Sequence, residues 1–485
     1  MQAIALVCLL AYTSLLFVVM YFTSRKADNN AYFTGSRRSP WFVVAYGMIG
    51  ASLSGVTLLS VPGDVYTTQF TYYGIVIGYF IGYAIIAWVL LPLYYKLNLT
   101  SIYTYLNQRF GNNSYKVGSL FFIISRLLGS ALRMYLVIFV LQEFIFSYFH
   151  IPIVVTASVF IIIILLYTFR GGIKTIVWTD TLQTTFFLLA LILTIVFILK
   201  DAQMNFGDMW AAMRESGYTK MFNTDWRADN HFVKQILSGI FITITMTGLD
   251  QDMMQKNLSC KNLKDAQKNM FTFSSILMIA NLLFLTLGGM LCVYATQKGI
   301  DLSGMKTDSI YPMVSMNYLP PIAGVVFIIG LIAAGYSSAD GTLTALTTAI
   351  CFDFLGIDNQ GKTEKERTQL RRSIHLIISA IFLIVILVFS IFHNDALIRI
   401  IFKVASYTYG PLLGLYTFGL FTKRQLKYEK LVPLIAVLSP LICLLLNILA
   451  NKGYLGGYKF GFELLVLNGI LTFMGLLAIS RKSTD

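Results

Sequence analysis

Two adjacent serines and an aspartate lie within one long apolar stretch, and their chemistry suits a cation. The stretch runs from residue 327 to residue 352 and carries Ser337, Ser338 and Asp340 in its middle. Polar groups are costly in membrane hydrocarbon unless a polar partner meets them. Sodium is hard and takes oxygen ligands, as calcium and magnesium do. The alternative is that the hydroxyls bond back to carbonyls one turn earlier, which is common in membrane helices.

Two arginines in another apolar stretch could bind an anion. Arg126 and Arg133 are seven residues apart, so on a helix both side chains emerge from one face. Arg126 is close enough to the membrane boundary to reach water by snorkelling. Arg133 lies near the middle and needs a carboxylate, carbonyl groups or a substrate anion, with Asp340 and Asp250 as candidate internal partners. Structural ion pairing and anion binding are both open for Arg133.

The apolar stretch at residues 41–67 has a composition that weakens a helix at its centre. Glycine lowers helix stability by about 1 kcal/mol relative to alanine. Glycines and serines are concentrated there, at Gly47, Gly50, Ser52, Ser54 and Gly55. We predict a locally unwound segment with free carbonyls, which is tolerated where it is buried or lines a cavity. The alternative is close helix packing through small residues, the role we assign to the regularly spaced Gly74, Gly78 and Gly82.

The composition of the chain places it among polytopic helical membrane proteins. Of the 485 residues, 56% are hydrophobic and only 12% charged, with a mean hydropathy of +0.70, whereas soluble domains average roughly a quarter charged residues. The five cysteines and four histidines are scattered, so the sequence indicates no disulfide framework and no zinc site. No HExxH or P-loop motif is present, which argues against an enzyme.

Apolar runs of about 20 residues predict the transmembrane spans. Thirteen such runs lie near 3–23, 41–67, 71–95, 117–148, 151–169, 175–199, 233–254, 269–296, 319–352, 372–392, 396–421, 431–450 and 460–480. With the N-terminus outside and the C-terminus inside, 24 of the 37 Lys and Arg residues fall in cytoplasmic segments and nine in external ones. This asymmetry supports that orientation. It also accounts for the net charge of +14, because the excess of basic residues lies on the cytoplasmic side, where it suits anionic lipid. The positive charge therefore does not indicate nucleic-acid binding.

These residues, in this order, resemble the sodium–solute symporter family, which includes bacterial galactose, proline and sialic acid transporters. The resemblance covers about residues 1 to 480. The matching stretches are AYFTGSR at 31–37, the glycine- and serine-rich second span, Gly171-Gly172 with Trp178-Thr179-Asp180, Asp250-Gln251 with Gln255-Lys256 and Lys261, Leu319-Pro320, and Ala333-Ala334 with Ser337-Ser338.

The resemblance implies an all-α membrane protein with the inverted-repeat leucine-transporter fold, formed by five plus five core helices. Residues 1–485 would form a single transporter domain, with a first repeat at 41–199 and a second at 233–421. The first helix, at 3–23, and the last two, at 431–480, would be peripheral. Substrate and ion then bind near the midplane, where discontinuous helices expose carbonyls and helix ends.

The resemblance also implies a sodium site with five oxygen ligands. These are the carbonyls of Gly50, Leu53 and Ala334 and the hydroxyls of Ser337 and Ser338. All five oxygens are neutral, which suits a monovalent ion that must also leave. Some family members bind a further sodium with an aspartate that matches Asp180. Asp340 stands at another position of that second site, where it could bind an ion or pair with an arginine.

For the solute, the family pattern indicates hydroxyls at Ser54 and Thr57. Thr247 stands at an aromatic gate position of the sugar transporters, which argues against a galactose-type site. Arg133 and Arg126 suit a carboxylate through paired charge-assisted hydrogen bonds. We therefore expect sodium-coupled import of a carboxylate-bearing solute, either an acidic sugar such as sialic acid or a monocarboxylate. A neutral sugar or polyol is the alternative, and a sensor or a channel is less favoured.

The expected setting is the inner membrane of a bacterium. The expected partners are sodium, a small solute and membrane lipid, and the chain is expected to act as a monomer or a weak oligomer.

Overall fold

Long apolar segments become helices because a helix satisfies its own backbone groups where water is absent. The computed structural model of the protein describes residues 2–24, 28–357, 361–391 and 397–482. Within them the chain is almost entirely helical, and the strands found are one antiparallel pair of two-residue strands, β1 (Gln425–Leu426) and β2 (Ser480–Arg481). Residues 392 and 396, which bound two of the predicted spans, lie outside the described residues.

The described part of the first half contains ten α-helices. They are α1 (Gln2–Ser24), α2 (Asn29–Thr34), α3 (Trp41–Ser52), α4 (Gly55–Thr68), α5 (Tyr73–Ile85), α6 (Leu91–Lys96), α7 (Thr104–Arg109), α8 (Asn112–Phe144), α9 (Ile153–Gly171) and α10 (Ile173–Asp201). A π-helical turn, Ile86–Leu90, joins α5 to α6.

The described part of the second half contains eleven α-helices. They are α11 (Phe206–Glu215), α12 (Phe232–Thr243), α13 (Gln251–Leu258), α14 (Leu263–Lys298), α15 (Thr307–Asn317), α16 (Pro321–Ala349), α17 (Glu364–Phe389), α18 (Leu397–Thr408), α19 (Gly410–Phe421), α20 (Val432–Asn451) and α21 (Leu464–Ala478). Two π-helical turns, Ile244–Gly248 and Ile350–Phe354, follow α12 and α16.

Each of the thirteen predicted stretches overlaps one of these helices or a broken pair of them. In the described ranges, eight helices are long and apolar enough to cross a membrane, or ten when two bent pairs each count as one span. Three shorter apolar helices, at Ile153–Phe169, Gly410–Phe421 and Leu464–Ala478, coincide with further predicted stretches. An integral membrane protein is therefore the class that the helices support.

Two of the spans are broken near their middle. α3 and α4 meet at an angle of 57°, and α12 with its π-helical turn meets α13 at 66°. The first break falls at Leu53 and Ser54, whose backbone angles are not helical. The predicted unwinding of the second span is thus confirmed, and it occurs at the centre of the glycine- and serine-rich segment.

α16 lies at the centre of the molecule. Every residue from Gly330 to Ala349 is buried, and the helix packs against α3, α8, α10 and α13. α1 and α20, in contrast, expose most of their apolar surface. The serine pair is therefore held on the most enclosed helix, where neighbouring helices reach it from several sides.

Candidate functional site

The break between α3 and α4 exposes backbone oxygens. An α-helix leaves the carbonyl groups of its last turn without intrahelical partners. The last turn of α3 includes Gly50, and Leu53 follows with φ −84° and ψ 92°. The Gly50 amide donates to the Thr184 hydroxyl on α10 at 2.9 Å, which fixes this turn against its neighbour. Carbonyl oxygens of the kind predicted for a sodium site are therefore available here.

The two serines on α16 are buried, and both hydroxyls have partners. Ser337 donates its hydroxyl to Asp180 Oδ1 at 2.7 Å, and Ser338 donates to the Ala334 carbonyl at 3.0 Å. The bond of Ser338 is the back-bond anticipated as the alternative to ion binding. Each hydroxyl oxygen keeps lone pairs that can accept a cation while its proton is donated elsewhere. The five predicted sodium ligands lie on α3, on Leu53 just after it and on α16, and these two helices pack on each other and on α10.

A buried lysine completes this junction. Lys256, on α13, lies with its Nζ 2.8 Å from Asp180 Oδ2 and 3.5 Å from Asp252 Oδ1. All three side chains are almost fully buried. The Asp180 carboxylate is thus held between the Ser337 hydroxyl on one oxygen and an ammonium group on the other. Lys256 follows the predicted span 233–254, so its burial is a feature that only the packing of α13 against α10 and α16 reveals.

Arg126 belongs to the same network. Its guanidinium pairs with Asp252, lies 3.6 Å from Asp250 Oδ2 and donates through Nε to the Thr342 hydroxyl at 3.0 Å. The residue is only 4% exposed. The expectation that it reaches the membrane boundary by snorkelling is therefore wrong, because two carboxylates on the broken α12–α13 span hold it inside. Asp250, a candidate partner for Arg133, pairs with Arg126 instead.

Asp340 accepts hydrogen bonds from two neutral groups. The Tyr167 hydroxyl donates to its Oδ2 at 2.9 Å, and the Gly341 amide donates to its Oδ1 at 2.6 Å. In the described part of the chain no arginine or lysine lies within 4 Å of it, so the anticipated arginine pair is not formed. The buried network, which we name the acidic cluster, consists of Arg126, Lys256, Asp180, Asp250, Asp252 and Asp340.

The acidic cluster contains more negative than positive groups. With every group ionised, two cationic and four anionic side chains leave a net charge of −2 inside the protein. Uncompensated buried charge is unfavourable unless further positive charge is supplied. In that ionisation state the cluster carries unbalanced negative charge, and Ser337, one of the predicted sodium ligands, donates to its Asp180.

A cavity of about 90 Å³, here called the inner cavity, lies beside the break. All five side chains predicted to bind solute line it, namely Ser54, Thr57, Arg126, Arg133 and Thr247. These residues come from three separate spans, so the broken helix and the packing of α8 and α12 bring them together.

Three tyrosines and an asparagine also line the inner cavity, and the sequence interpretation missed them. They are Tyr72, Tyr79, Tyr83 and Asn281. The Tyr72 and Tyr79 hydroxyls are 3.1 Å apart. Spacings of seven and four residues place the tyrosines on one helical face, which was a readable signal. It was overlooked because the glycines of the same span were assigned to packing alone.

Arg133 differs from Arg126 in having no ionic partner. It is half-buried in the inner cavity, and among the described residues no carboxylate lies within 4 Å of its guanidinium. A guanidinium group presents five donors in a planar fork that matches a carboxylate. The geometry therefore leaves Arg133 available to a ligand.

Comparison with known proteins identifies matches in both sequence and fold. The model of the sodium:solute symporter family matches residues 32–436. The chain is 24% identical to the sodium/sialic acid symporter NanT of Aliivibrio fischeri, covering 90% of this chain and 86% of that protein. It is 25% identical to the sodium/sialic acid symporter SiaT of Proteus mirabilis, covering 85% and 83%.

The fold has solved counterparts. A sodium-coupled sialic acid symporter in a substrate-bound outward-open state superposes with a TM-score of 0.83 at 20% identity, covering 99% of both chains. Mhp1, a nucleobase-cation-symport-1 family transporter, superposes in a closed conformation with a TM-score of 0.55 at 14% identity, covering 93% of each. The family match confirms a sodium-coupled transporter rather than an enzyme: the chain belongs to the sodium:solute symporter family.

Proposed function

We propose that this protein imports a small carboxylate-bearing solute, such as an acidic sugar, by sodium symport. The observation that carries the proposal is the unpaired Arg133 guanidinium in a polar cavity beside a broken helix. Even a half-buried cation without a counter-ion is unfavourable, and a solute carboxylate would supply the missing charge. The sodium/sialic acid symporters among the relatives support an acidic sugar as the solute class.

The solute's hydroxyl groups would meet the polar lining of the inner cavity. Ser54, Thr57 and Thr247 offer hydroxyls, and Asn281 offers an amide. These groups by themselves favour the second candidate, a neutral sugar or polyol. Because such a solute would leave Arg133 without a counter-ion, we place it second.

Sodium would bind at the junction of the α3–α4 break with α16. The ligands are the carbonyls of Gly50, Leu53 and Ala334 and the hydroxyls of Ser337 and Ser338. An ion there would hold the two sides of the break in one arrangement. Since the inner cavity borders the same break, sodium and solute would stabilise one conformation together, and each would raise the affinity of the other.

Asp180 and Asp340 form a candidate second sodium site within the acidic cluster. With every group ionised, the net charge of −2 favours another cation there, and the Ser337 hydroxyl donates to Asp180 Oδ1 at 2.7 Å. The Lys256 ammonium, 2.8 Å from Asp180 Oδ2, would share this carboxylate with the ion or move aside. A second sodium would therefore bind more weakly than one at the neutral site.

The transport cycle would be alternating access across a bacterial plasma membrane. We assign thirteen spans, with the N-terminus outside and the C-terminus inside. Residues 41–199 and 233–421 would form the two inverted repeats, and each would begin with a broken span. Such breaks at corresponding positions of two repeats mark the binding region in this class of fold.

The sodium assignment predicts a selective effect of one hydroxyl. Ser338→Ala removes a proposed ligand, so the sodium concentration for half-maximal uptake should rise at least about tenfold. Ser439→Ala is the matched control, because Ser439 is also buried and also bonds back to a carbonyl one turn earlier, at 2.9 Å. Sodium-driven uptake of a sialic acid into proteoliposomes measures both variants. Unchanged sodium dependence in Ser338→Ala, and in Ser337→Ala, would refute the site.

A further inference from the structure

Two positively charged side chains line the inner cavity, and its described lining includes no carboxylate. Arg126 and Arg133 are these two residues, and the other lining groups are apolar side chains, hydroxyls and the Asn281 amide. Both arginines project from one face of α8. Two uncompensated guanidinium groups would favour a solute with two carboxylates, because each group can form paired charge-assisted hydrogen bonds. The number of free positive charges therefore bears on the charge of the solute.

Carboxylates behind the cavity wall compensate only one of these two charges. The Arg126 guanidinium contacts Asp252, and its Nη1 lies 3.6 Å from Asp250 Oδ2. Arg133 has no carboxylate within 4 Å among the described residues. Asp252 also lies 3.5 Å from the Lys256 ammonium, so its charge is shared between two cations. In the described chain Asp250 has no lysine within 4 Å, and its charge is directed to Arg126 alone.

The break in the α12–α13 span fixes the position of Asp250. This residue directly precedes α13, and its Oδ1 accepts the Met253 amide at 3.2 Å and so caps the helix. Its Oδ2 accepts the Tyr409 hydroxyl at 2.8 Å. The Tyr103 hydroxyl donates to the Leu249 carbonyl at 2.8 Å and holds the backbone just before it. Asp250 therefore cannot turn away from Arg126 without losing these buried bonds.

From these contacts we infer that Asp250 is a specificity-determining residue, which limits the solute to one carboxylate. Asp250 balances the charge of Arg126, so Arg133 is the cation of the described lining that pairs with the solute. A second carboxylate would lie beside an arginine whose charge is already balanced, and it would be repelled by Asp250 behind that arginine. The inference deepens the proposed function and rests on it, because it assumes that the inner cavity binds the solute.

A neutral substitution of nearly the same shape tests this inference. Asp250→Asn keeps an oxygen that can accept from Tyr409 but removes the charge that balances Arg126. The probes are galactonate, which has one carboxylate, and galactarate, which has one at each end of the same carbon chain. The unaltered protein should prefer galactonate. In Asp250→Asn the affinity for galactarate should rise at least about tenfold relative to that for galactonate. Thermal-shift titrations of the full chain in sodium give both affinities.

The ratio of the two affinities separates a specificity role from a structural one, because a damaged cavity would weaken both acids alike. Asp353→Asn is the matched control. Asp353 is also buried and also accepts a tyrosine hydroxyl, from Tyr115 at 2.7 Å, but it does not line the inner cavity. Its ratio should equal that of the unaltered protein. Arg126→Gln, added to Asp250→Asn, removes the released charge and should abolish the gain for galactarate.

A second variant covers the case in which Asp250→Asn does not fold. Tyr409→Phe removes one of the bonds that fix Asp250, and it should raise the same ratio by a smaller factor. An unchanged ratio in every folded variant of Asp250 or Tyr409 overturns the inference. A gain that persists in the double variant also overturns it, because the extra charge would then not be that of Arg126. In both cases the proposed function stands, provided that a sialic acid still stabilises the unaltered protein.

Failure of the proposed function gives a different result. If the folded, unaltered protein in sodium is stabilised by neither a sialic acid nor galactonate, the carboxylate hypothesis itself is wrong, and the role inferred for Asp250 fails with it. Preference of the unaltered protein for galactarate over galactonate would instead contradict the role of Asp250 alone.

Discussion

Lys256 illustrates how single residues determine the electrostatics of this protein. Its Nζ lies 2.8 Å from Asp180 Oδ2 and 3.5 Å from Asp252 Oδ1, and both aspartates are buried. Desolvation makes a buried ion pair a weak source of stability, but leaving one partner unpaired typically costs about 3–5 kcal/mol. The lysine therefore matters most as the counter-ion that makes four buried carboxylates tolerable. The lysine also links α13, which follows the break in the α12–α13 span, to Asp180 on α10. The same helix α10 carries Thr184, whose hydroxyl accepts from the Gly50 amide beside the α3–α4 break.

Arg133 provides the sharpest test at the scale of a residue. In Arg133→Gln the charge is lost while a hydrogen-bonding side chain of smaller size remains. We expect the thermal stabilisation produced by a sialic acid in sodium to fall, with the affinity reduced roughly 10- to 100-fold, because a charge-assisted hydrogen bond contributes about 1.5–3 kcal/mol. Thermal-shift measurements over a range of sialic acid concentrations give the affinity.

A neutral sugar is the control for this variant. If Arg133→Gln binds sialic acid as well as the unaltered protein does, the carboxylate hypothesis is wrong. If instead the unaltered protein is stabilised by neutral sugars or polyols and not by acids, the second candidate function is favoured.

At the scale of elements, the contact between α5 and α12 depends on two glycines. A Cβ on Gly78 would lie 2.8 Å from the Gly239 Cα and closer still to the Ile236 carbonyl. These are backbone atoms, so the two helices would have to separate. The packing role assigned to Gly78 from the sequence is thereby confirmed. The contact also positions Tyr79, on α5, against the inner cavity.

We predict opposite effects for two helical glycine substitutions. Gly78→Ala should destabilise the protein by about 1–3 kcal/mol, the usual cost of overpacking. Gly129→Ala, where nothing lies within 4 Å of the added Cβ, should be neutral or stabilising by up to about 1 kcal/mol. Thermal unfolding of both variants in detergent measures the difference. Equal unfolding temperatures would show that α5 and α12 do not approach so closely.

At the scale of the whole molecule, the orientation in the membrane is open to direct measurement. An impermeant maleimide should label Glu215→Cys in intact cells and Lys264→Cys only after permeabilisation, because the charge asymmetry places these exposed positions on opposite sides. Of the native cysteines, four are buried and Cys8 is half-buried, so the unaltered protein serves as the unlabelled control. Labelling of Lys264→Cys in intact cells would reverse the topology.

The whole molecule also shows how far prediction from sequence reached. Three features could be predicted because each depends on the local composition of one segment. They are the apolar stretches, the break at Leu53 and Ser54, and the packing role of Gly78. The carboxylate partners of Arg126 could not be predicted from the sequence. Asp250 and Asp252 lie more than a hundred residues away from Arg126, and only the 66° bend between α12 and α13 turns them towards α8.

The sequence by itself determined the membrane class, the family and five of the residues that line the inner cavity, since hydropathy and short motifs are properties of the chain alone. Tertiary structure decided which of two similar arginines is free. Arg126 and Arg133 share one helical face and both line the inner cavity, yet the first pairs with Asp250 and Asp252 while the second has no described carboxylate within 4 Å. It also decided that Lys256 is buried, because burial and pairing depend on which helices meet.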